Sequence, residues 1–363
     1  MMNGMEPKAG EISINNIGVV IVTYGDRVHF LAKVLKGVFK QTEVHRIKCV
    51  VVCDNGAEKG TKILLKSLAN HEPKLRVVTL SQNTGSANGY AVAIKEAINC
   101  GCEWIWCLDD DNLPEPDALG QLIQTKNLVE PNAALLSLRE DRPSYVKRAC
   151  GLSLSKAFGP RYSFLGFSVL DLPQKIKPRL FRSIAPTGLP LPKSEEPLKV
   201  PYAPYGGFFF KATQIAEIGF PDASFYVYGD DHEFTRRFVA KGYSIYLVPK
   251  SRIKDLEQPW HQNRMRSALW TSNLLLHEGE EKYLEKLFYT IRNRVFLEMY
   301  SFGWKRNPLY YCNMLSYLAL LFIQAFILRL KGKQLPWRSF FLILKAVKDG
   351  RRGRLGQIKG SLS

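Results

Sequence analysis

The sequence Trp104-Ile-Trp-Cys-Leu-Asp-Asp-Asp111 is the most informative stretch of the chain, because a short apolar run leads directly into three aspartates. A continuous apolar run of this length is typical of a strand that is buried on both faces. Adjacent carboxylates repel one another, and a hard divalent cation such as Mg²⁺ or Mn²⁺ relieves the repulsion. An extended chain points Asp109 and Asp111 to the same side, so the two are expected to share one ion. The alternative is a solvated acidic loop.

The chain before this stretch alternates between strand and helix patterns. Apolar runs predict strands at 17–23, 47–53 and 75–80, and helical patterns lie between them at 30–39, 61–69 and 89–99. This order predicts a parallel sheet with helices on both faces. Ligands of such sheets bind at the carboxyl ends of the strands. Further along the chain, a helix is expected from Asp231 to Lys241 and a strand from Tyr243 to Val248.

Polar residues follow the apolar run at each predicted strand end. Thr23 and Tyr24 follow the first strand, and Asp54, an acceptor for a base or a ribose, follows the second. Asn83 and Gly85 follow the third, where glycine allows the backbone to approach a ligand closely. Each cluster alone is also a common turn sequence. Their shared position at one edge of the sheet favours a binding site.

The charge of the chain is strongly positive, and part of it is concentrated at one end. The 363 residues include 51 Lys and Arg against 33 Asp and Glu, a net charge of +18. This predicts a polyanionic partner. Residues 310–330 carry no charge before Arg329 and are long enough to span a bilayer, and nine Lys or Arg follow from Lys331 onward. Apolar and cationic segments together predict an anchor on an anionic membrane surface. A buried helical bundle with a solvated basic tail is the alternative.

The cysteines and the N-terminus favour the cytoplasm. Seven cysteines in a chain of this length do not form a disulfide framework, and Cys100 and Cys102 lack a second pair at zinc spacing. A reducing compartment is therefore expected. The first residues show neither an apolar run nor a cleavage signature.

Taken in order, the strand before Thr23-Tyr-Gly, the strand before Asp54, the Asn83 turn and the aspartate triplet resemble family 2 glycosyltransferases of the GT-A fold. The resemblance covers about residues 17–300. It implies an inverting enzyme that uses a nucleotide-activated sugar and a divalent cation, Mn²⁺ or Mg²⁺. The triplet resembles that of the bacterial galactofuranosyltransferases in particular, which implies UDP-galactofuranose as the donor.

The resemblance also implies roles for individual residues. The second carboxylate of Asp230-Asp231, at the start of the predicted helix, is implied to be the general base that takes the proton of the acceptor hydroxyl. The dipole of the helix is the alternative reason for acidic residues there. The implied acceptor-binding residues are Asp230, Glu233 and Gly207. The implied donor-binding residues are Thr23, Tyr24, Asp54, Asn83, Gly85, Asp110 and Arg292. The implied metal ligands are Asp109, Asp111 and His261, with His232 as a weaker candidate for the last.

The predicted architecture is an α/β catalytic domain of the GT-A type, with a mostly parallel sheet and a helical, membrane-associating C-terminal region. The expected parts are a flexible N-terminus (1–14), a nucleotide-sugar-binding half (15–125), an acceptor-binding half with the base (126–280) and the C-terminal region (281–363). The expected acceptor is a growing glycan on a lipid carrier at the inner face of the cell membrane, for a cell-surface polysaccharide.

Three other functions are compatible with parts of the pattern. A rhamnosyltransferase that uses dTDP-rhamnose shares nearly every motif. A nucleotidyltransferase also combines such a sheet with a divalent ion, but residues 23–27 are a poor triphosphate-binding loop. A nucleic-acid-binding protein fits the positive charge, but the charge gathers in the apolar C-terminal region and no nucleic-acid motif occurs, so no nucleic acid is expected as a partner.

Overall fold

A computed structural model describes residues 14–171, 194–257, 275, 281–332 and 335–358. The chain divides into two compact units. We call them the sheet unit and the helical unit. The sheet unit comprises Met1–Leu152, Leu191–Ala223 and Phe234–Glu257, and the helical unit comprises Ser153–Pro190, Ser224–Glu233 and Gln258–Ser363.

The sheet unit is built on one mixed β-sheet. Its strands are β1 (Ile17–Gly25), β2 (Ile47–Ala57), β3 (Leu75–Leu80), β4 (Trp104–Asp109), β5 (Asn112–Pro114), β6 (Ala134–Arg139), β7 (Leu198–Val200), β8 (Phe208–Lys211) and β9 (Ile245–Asp255). Its helices are α1 (Val28–Phe39), α2 (Lys59–His71), α3 (Ser86–Asn99), α4 (Ala118–Lys126), α5 (Pro143–Ala149) and α7 (Ile215–Ile218), and α6 (Leu154–Phe158) follows α5 in the chain but belongs to the helical unit. The strands and helices predicted for residues 17–108 are confirmed.

The order of the strands predicts the edge of the sheet at which a ligand would bind. The sheet runs β3-β2-β1-β4-β8-β6-β9-β5, and β7 pairs with β9. The pairs β2–β3, β1–β2, β1–β4 and β6–β9 are parallel, whereas β8 lies antiparallel between β4 and β6. The chain order reverses at β1, since β2 lies on one side of it and β4 on the other. Such a reversal opens a crevice at the carboxyl ends of the strands.

The core of the sheet unit follows from the apolar runs. Alternate residues of β1 and β4 lie in one apolar cluster with the buried face of α1. The intervening residues of the two strands are buried as well, as expected for a sheet that is covered on both faces. Leu31, Val34, Leu35 and Val38 recur at helical spacing on α1 and are all buried. This packing holds the ends of β1 and β4 in register: Val22 lies beside Asp109 and Thr23 beside Asp54.

Strand β9 is longer than expected. The sequence predicts an end at Val248 because Pro249 follows, yet the strand continues to Asp255. A shift of register between β6 and β9 absorbs the proline: Ser137 pairs with Val248, but the next residue of β6 pairs with Arg252. Bulges are where a sheet tolerates proline. The longer strand carries Asp255 to its end.

The helical unit has its own apolar core. Helix α8 (Asp230–Ala240) begins in this unit and ends in the sheet unit, and α9 (Glu281–Phe296), α10 (Pro308–Leu330) and α11 (Leu335–Arg351) belong to the helical unit alone. The helix predicted from Asp231 is confirmed. A turn of π-helix, Leu297–Ser301, extends α9. Within the described residues, α10 is the helix long and apolar enough to cross a membrane, with 28% of that stretch buried. The predicted α/β domain with a helical C-terminal region is confirmed. The sheet is not mostly parallel as predicted, because the pairs β4–β8, β6–β8, β5–β9 and β7–β9 are antiparallel.

Candidate active site

The aspartate triplet lies at the end of β4, beside the reversal of strand order. Its three carboxylates differ in exposure: the Asp109 side chain is 34% exposed, that of Asp111 13% and that of Asp110 only 5%. The side that Asp109 presents to solvent is therefore the part of the triplet that a ligand reaches. Two buried arginines, Arg27 and Arg139, hold the three carboxylates in place.

Asp110 is enclosed by the end of β1. Thr23 donates its hydroxyl hydrogen to Asp110 at 2.8 Å, and Arg27 donates to the other oxygen from Nε at 3.1 Å and from Nη2 at 2.9 Å. Burial nevertheless raises the pKa of Asp110, and the bonds from Arg27 and Thr23 oppose that rise. Arg27 also donates to Glu257 at 2.7 Å. With both oxygens engaged, Asp110 fixes Thr23 and Arg27 beside the triplet.

Asp109 is held by a tyrosine and an arginine. The hydroxyl of Tyr90 donates to one carboxylate oxygen and Nη1 of Arg139 donates to the other, at 2.8 and 2.7 Å. Arg139 is 2% exposed and also pairs with Asp141 and Asp255. Because Arg139 holds three carboxylates, the charge at this edge remains negative.

Asp111 has a carboxyl group with a raised pKa. Burial and the charges of Asp109, Asp255 and Asp110 raise its pKa to about 8, although Nη2 of Arg27 donates to it at 3.0 Å. Burial also raises the pKa of Asp255, to about 6. A carboxyl group with so high a pKa gains from a cation placed beside it.

Gly206 and Gly207 complete this edge. A Cβ atom on Gly206 would lie 2.0 Å from Oδ1 of Asn112, 2.4 Å from Nη1 of Arg139 and 2.7 Å from Oδ2 of Asp109. A larger residue fits there only if these three side chains shift. Gly207, a predicted acceptor-binding residue, has a φ of +95° and packs against Ser137.

The remaining predicted donor-binding residues line the ends of β2 and β3. Asp54 is buried and accepts a hydrogen bond from the amide of Ala57 at 2.7 Å. Asn83 accepts from the amide of Gly85 at 2.9 Å, and Asn55 donates to the carbonyl of Gly85 at 2.9 Å. Tyr24 is 51% exposed. The structure thus brings Thr23, Asp54, Asn83, Gly85 and the triplet to one edge of the sheet unit.

The chemistry of the donor set fits a hard divalent cation. Mg²⁺ in proteins is commonly held by one or two carboxylates together with phosphate oxygens of a substrate. Asp109 and Asp111 supply such carboxylates. Within the described parts of the chain, no group of three His, Cys, Asp or Glu residues is arranged to hold an ion. His261, the predicted third ligand, lies outside the described residues.

Asp230, Asp231 and Glu233 form the first turn of α8. Asp230 is buried, and the side chain of Asp231 is 24% exposed. Asp231 accepts a hydrogen bond from the amide of His232 at 2.7 Å, and the ring of His232 lies 3.9 Å from its other oxygen. This acidic turn is in the helical unit, whereas the triplet is in the sheet unit.

Arg292 is placed differently from the other predicted donor-binding residues. It lies in the helical unit, is 2% exposed, and donates to the carbonyls of Gly356 at 2.6 Å and Phe225 at 3.3 Å. Burial lowers its pKa. In this arrangement Arg292 links backbone segments, and its donor-binding role stays a prediction.

Sequence patterns alone missed Arg27, Arg139 and Asp255. Arg27 stands two residues after the first strand and Arg139 ends β6, so a cation at the end of an apolar run was the available signal. Apart from Asp141, which is two residues away, the partners of Arg139 lie 27 to 116 residues away along the chain. The carboxylate partners of Arg27 lie 83 to 230 residues away.

Comparison with known proteins relates part of the chain to a known family. The model of the family described as Glycosyl transferase family 2 matches residues 18–142, the part that contains β1 to β4 and the triplet. Residues 18–142 therefore resemble a family 2 glycosyltransferase domain. The resemblance that the sequence motifs predict is confirmed over this part of the chain.

One curated relative of this chain is the galactofuranosyltransferase GlfT1 of Mycolicibacterium smegmatis (strain ATCC 700084 / mc(2)155). It is 26% identical over 165 residues, which is 44% of this chain and 46% of the relative. The match therefore spans about half the length of the curated relative.

Solved structures of glycosyltransferases also resemble the chain. The mannosyltransferase PcManGT from Pyrobaculum calidifontis, in complex with GDP-Man and Mn²⁺, is 16% identical, with a TM-score of 0.49 over 94% of this chain and 90% of that one. GalNAc-T7 with UDP, GalNAc and Mn²⁺ is 16% identical, with a TM-score of 0.48 over 81% of this chain and 57% of that one.

Proposed function

We propose that this protein is a metal-dependent inverting glycosyltransferase that moves galactofuranose from UDP-galactofuranose to a lipid-linked glycan. The observation that carries the proposal is the triplet at the reversal of strand order, in a stretch that resembles a family 2 glycosyltransferase domain. There, Asp109 is exposed and the carboxylates exceed their two arginine partners. A nucleoside diphosphate and a divalent cation together match an edge of this charge. The weak similarity to GlfT1 favours galactofuranose as the sugar.

The residues at the strand ends would bind the donor. Thr23, Asp54 and Asn83 would contact the nucleoside, with Tyr24, Gly85, Asp110 and Arg292 as the further predicted contacts. Mn²⁺ or Mg²⁺ held by Asp109 and Asp111, with His261 as the predicted third ligand, would supply positive charge to the diphosphate.

The transfer itself would use the acidic turn of α8. Asp231 takes the proton of an acceptor hydroxyl while that oxygen attacks the anomeric carbon of the sugar. The bond from the anomeric carbon to the diphosphate oxygen breaks on the opposite face, so the configuration inverts and nucleoside diphosphate is released. Asp230, Glu233 and Gly207 would hold the acceptor sugar.

A panel of donors tests the reaction. UDP-galactofuranose, UDP-galactopyranose, UDP-glucose and dTDP-rhamnose are each supplied with Mn²⁺ or Mg²⁺ and a lipid-linked acceptor mimic, and nucleoside diphosphate release is followed. We expect release from UDP-galactofuranose only, and its loss when the cation is chelated. Turnover of dTDP-rhamnose instead would change the sugar but keep the reaction class. No release from any donor would overturn the proposal.

The helical unit would bring the enzyme to the cytoplasmic face of an anionic membrane. One face of α10 is buried against the unit's core, but the other exposes large apolar side chains: Leu315, Leu320, Phe322, Ile323, Phe326, Ile327 and Leu330. Asn313 is buried on the packed face and bonded to the backbone of Tyr162 and Val169. An apolar face flanked by Arg329, Lys331 and the basic residues of α11 suits a helix that lies in the interface of an anionic bilayer.

Vesicle flotation tests this orientation. Ile323→Ser/Ile327→Ser changes two exposed residues one turn apart on α10, and Leu128→Ser changes a residue of the sheet unit that is 74% exposed. We expect the double variant to lose binding to anionic vesicles and Leu128→Ser to retain it. Equal binding of the two variants to anionic vesicles would contradict the proposed membrane partner. So would binding of the unaltered protein to neutral vesicles as strong as its binding to anionic vesicles.

A further inference from the structure

The turn before α8 has an unusual backbone. Tyr226, Tyr228 and Gly229 have φ values of +65°, +63° and +80°. A left-handed conformation is easy for glycine but strained for tyrosine, and it persists only where the surroundings impose it. Two strained tyrosines immediately before the acidic turn therefore require a support outside the turn.

Asn293 on α9 provides that support. Its side chain is fully buried, and its amide nitrogen lies within hydrogen-bond distance of the carbonyls of Phe225, Val227 and Tyr228, at 3.0, 2.8 and 2.7 Å. Because the amide has two hydrogens, one of them is shared between two of these carbonyls. Its amide oxygen accepts from Nε of Arg292 at 2.8 Å, and this bond sets which end of the amide faces the turn. A single amide thus gathers the carbonyl groups of the whole strained segment.

The other side of the turn is held by the C-terminal segment. The amide of Gly356 donates to the carbonyl of Ser224 at 2.6 Å, and Arg292 donates to the carbonyl of Gly356 at 2.6 Å. Arg292 in turn lies over the ring of Tyr289, 4.8 Å from its centroid. Asn293 is therefore itself held in place, because its neighbour Arg292 joins α9 to the segment that contains Gly356.

The turn continues directly into the helix that carries Asp231. The amide of Glu233 donates to the carbonyl of Gly229 at 2.9 Å, so the first turn of α8 is hydrogen-bonded to the strained segment. A Cβ atom on Gly229 would lie 3.3 Å from Leu297, which shows how closely the turn approaches α9. Any displacement of the turn changes the direction in which Asp231 points.

We propose that Asn293 is a positioning residue for the general base: its amide fixes the turn 225–229 and so sets the placement of Asp231. The inference rests on the role proposed above for Asp231. Asn293 is fully buried and so does not contact the donor directly, and Arg292, a predicted donor contact, keeps its bonds to Gly356 and Phe225 when Asn293 is removed. We therefore expect the removal of Asn293 to lower the rate of transfer more than the affinity for the donor.

Asn313 is a matched control in the same unit. It is also fully buried, donates to the carbonyl of Tyr162 at 2.8 Å and accepts from the amide of Val169 at 2.9 Å. Tyr162, like the tyrosines of the turn, has a positive φ of +61°. Asn313 thus fixes a strained segment by the same chemistry, but that segment does not lead into the acidic turn.

The experiment compares Asn293→Ala with Asn313→Ala in the full-length enzyme, with Asp231→Asn beside them. Thermal unfolding gives the folded fraction, and kcat and the donor KM are then measured per folded molecule. We expect both alanine variants to melt lower, but only Asn293→Ala to lose kcat, by about 10- to 100-fold, since displacement of a catalytic group by about 1 Å costs up to about 100-fold. The donor KM is expected to stay within about twofold.

Asn293→Gln serves if the alanine variant does not fold, because it keeps the amide and displaces it by one methylene group. It is expected to fold and to lose kcat in the same direction. Equal kcat losses in Asn293→Ala and Asn313→Ala, with Asp231→Asn inactive, would overturn the positioning role alone. An active Asp231→Asn would overturn the assigned base and this inference with it.

Discussion

Asp110 and Asp231 are both aspartates at a strand or helix end, but the two units hold them in opposite ways. Asp110 is 4% exposed and receives hydrogen bonds from Thr23 and Arg27, which belong to another strand end. The side chain of Asp231 is 24% exposed and is bonded to the amide of the next residue in its own helix.

This difference shows how aspartates can be suited to two tasks, the binding of a cation and the transfer of a proton. Carboxylates that are enclosed by arginines form an edge of fixed geometry, which suits a cation and a diphosphate. A carboxylate that water reaches, at the start of a helix held from behind by its backbone, suits proton transfer. The environment of each cluster therefore separates the proposed roles better than its sequence does.

The largest effect is expected from replacing Arg139, one of the two buried arginines that hold the triplet. Arg139→Met leaves Asp109, Asp141 and Asp255 without their shared partner, and breaking a buried ion pair in this way costs about 3–5 kcal/mol. Urea unfolding measures the loss. Arg142→Met is the control, because Arg142 pairs with Asp141 from a side chain that is 36% exposed, and such pairs contribute about 0–1 kcal/mol. Similar losses in the two variants would contradict the central role that Arg139 is given in holding this edge of the sheet.

A smaller effect is expected at Gly206. Gly206→Ala places a methyl group against Asn112, Arg139 and Asp109, and overpacking of this kind costs about 1–3 kcal/mol. The added atom also shifts Asp109, so transfer should fall with stability. The control is Gly120→Ala on α4, where a Cβ atom meets its neighbours at an ordinary 3.5 Å. The prediction fails if Gly206→Ala unfolds at the same urea concentration as Gly120→Ala and keeps full activity.

The smallest effect, when it is expressed per pH unit, is a slope of stability with pH. Burial and neighbouring charges raise the pKa of Asp111 to about 8, and burial raises that of Asp255 to about 6. A group with a raised pKa stabilises the fold fully below about pH 4, where the unfolded chain also holds the proton, and the stabilisation is lost as pH rises toward 8. In the presence of a chelator, the free energy of unfolding should therefore fall over this window.

The slope of that fall is at most about 1.4 kcal/mol per pH unit for each proton. Asp111→Asn should flatten the upper part of the window, between about pH 6 and 8, since Asp255 titrates lower. A slope that Asp111→Asn leaves unchanged would mean that Asp111 is charged in the folded protein throughout this range.

The sequence predicted the parallel part of the fold well, because apolar runs and helical spacing there are local signals. It also predicted that the triplet lies at the end of a buried strand, since three aspartates directly after an apolar run are a local signal. The continuation of β9 was missed, because a proline in the run ended the pattern and only pairing with β6 reveals the bulge.

The supports of both clusters were beyond sequence patterns. Arg27 and Asp110 are 83 residues apart, and Asn293 and Tyr228 are 65 residues apart. Nothing local marks an asparagine that donates to a distant turn, or an arginine that serves three carboxylates. Such partners follow from the packing of the elements, and only the folded chain shows them.

The most direct test of the account is to measure UDP binding and sugar transfer in two variants, one from each cluster. Titration calorimetry with UDP and Mn²⁺ is performed on the unaltered protein, Asp111→Asn and Asp231→Asn, and transfer is assayed on the same preparations. We expect Asp111→Asn to lose cation-dependent UDP binding, and Asp231→Asn to bind UDP normally but no longer to transfer sugar. Loss of UDP binding in both variants, or unchanged binding in Asp111→Asn, would contradict the separation of roles between the two carboxylate clusters.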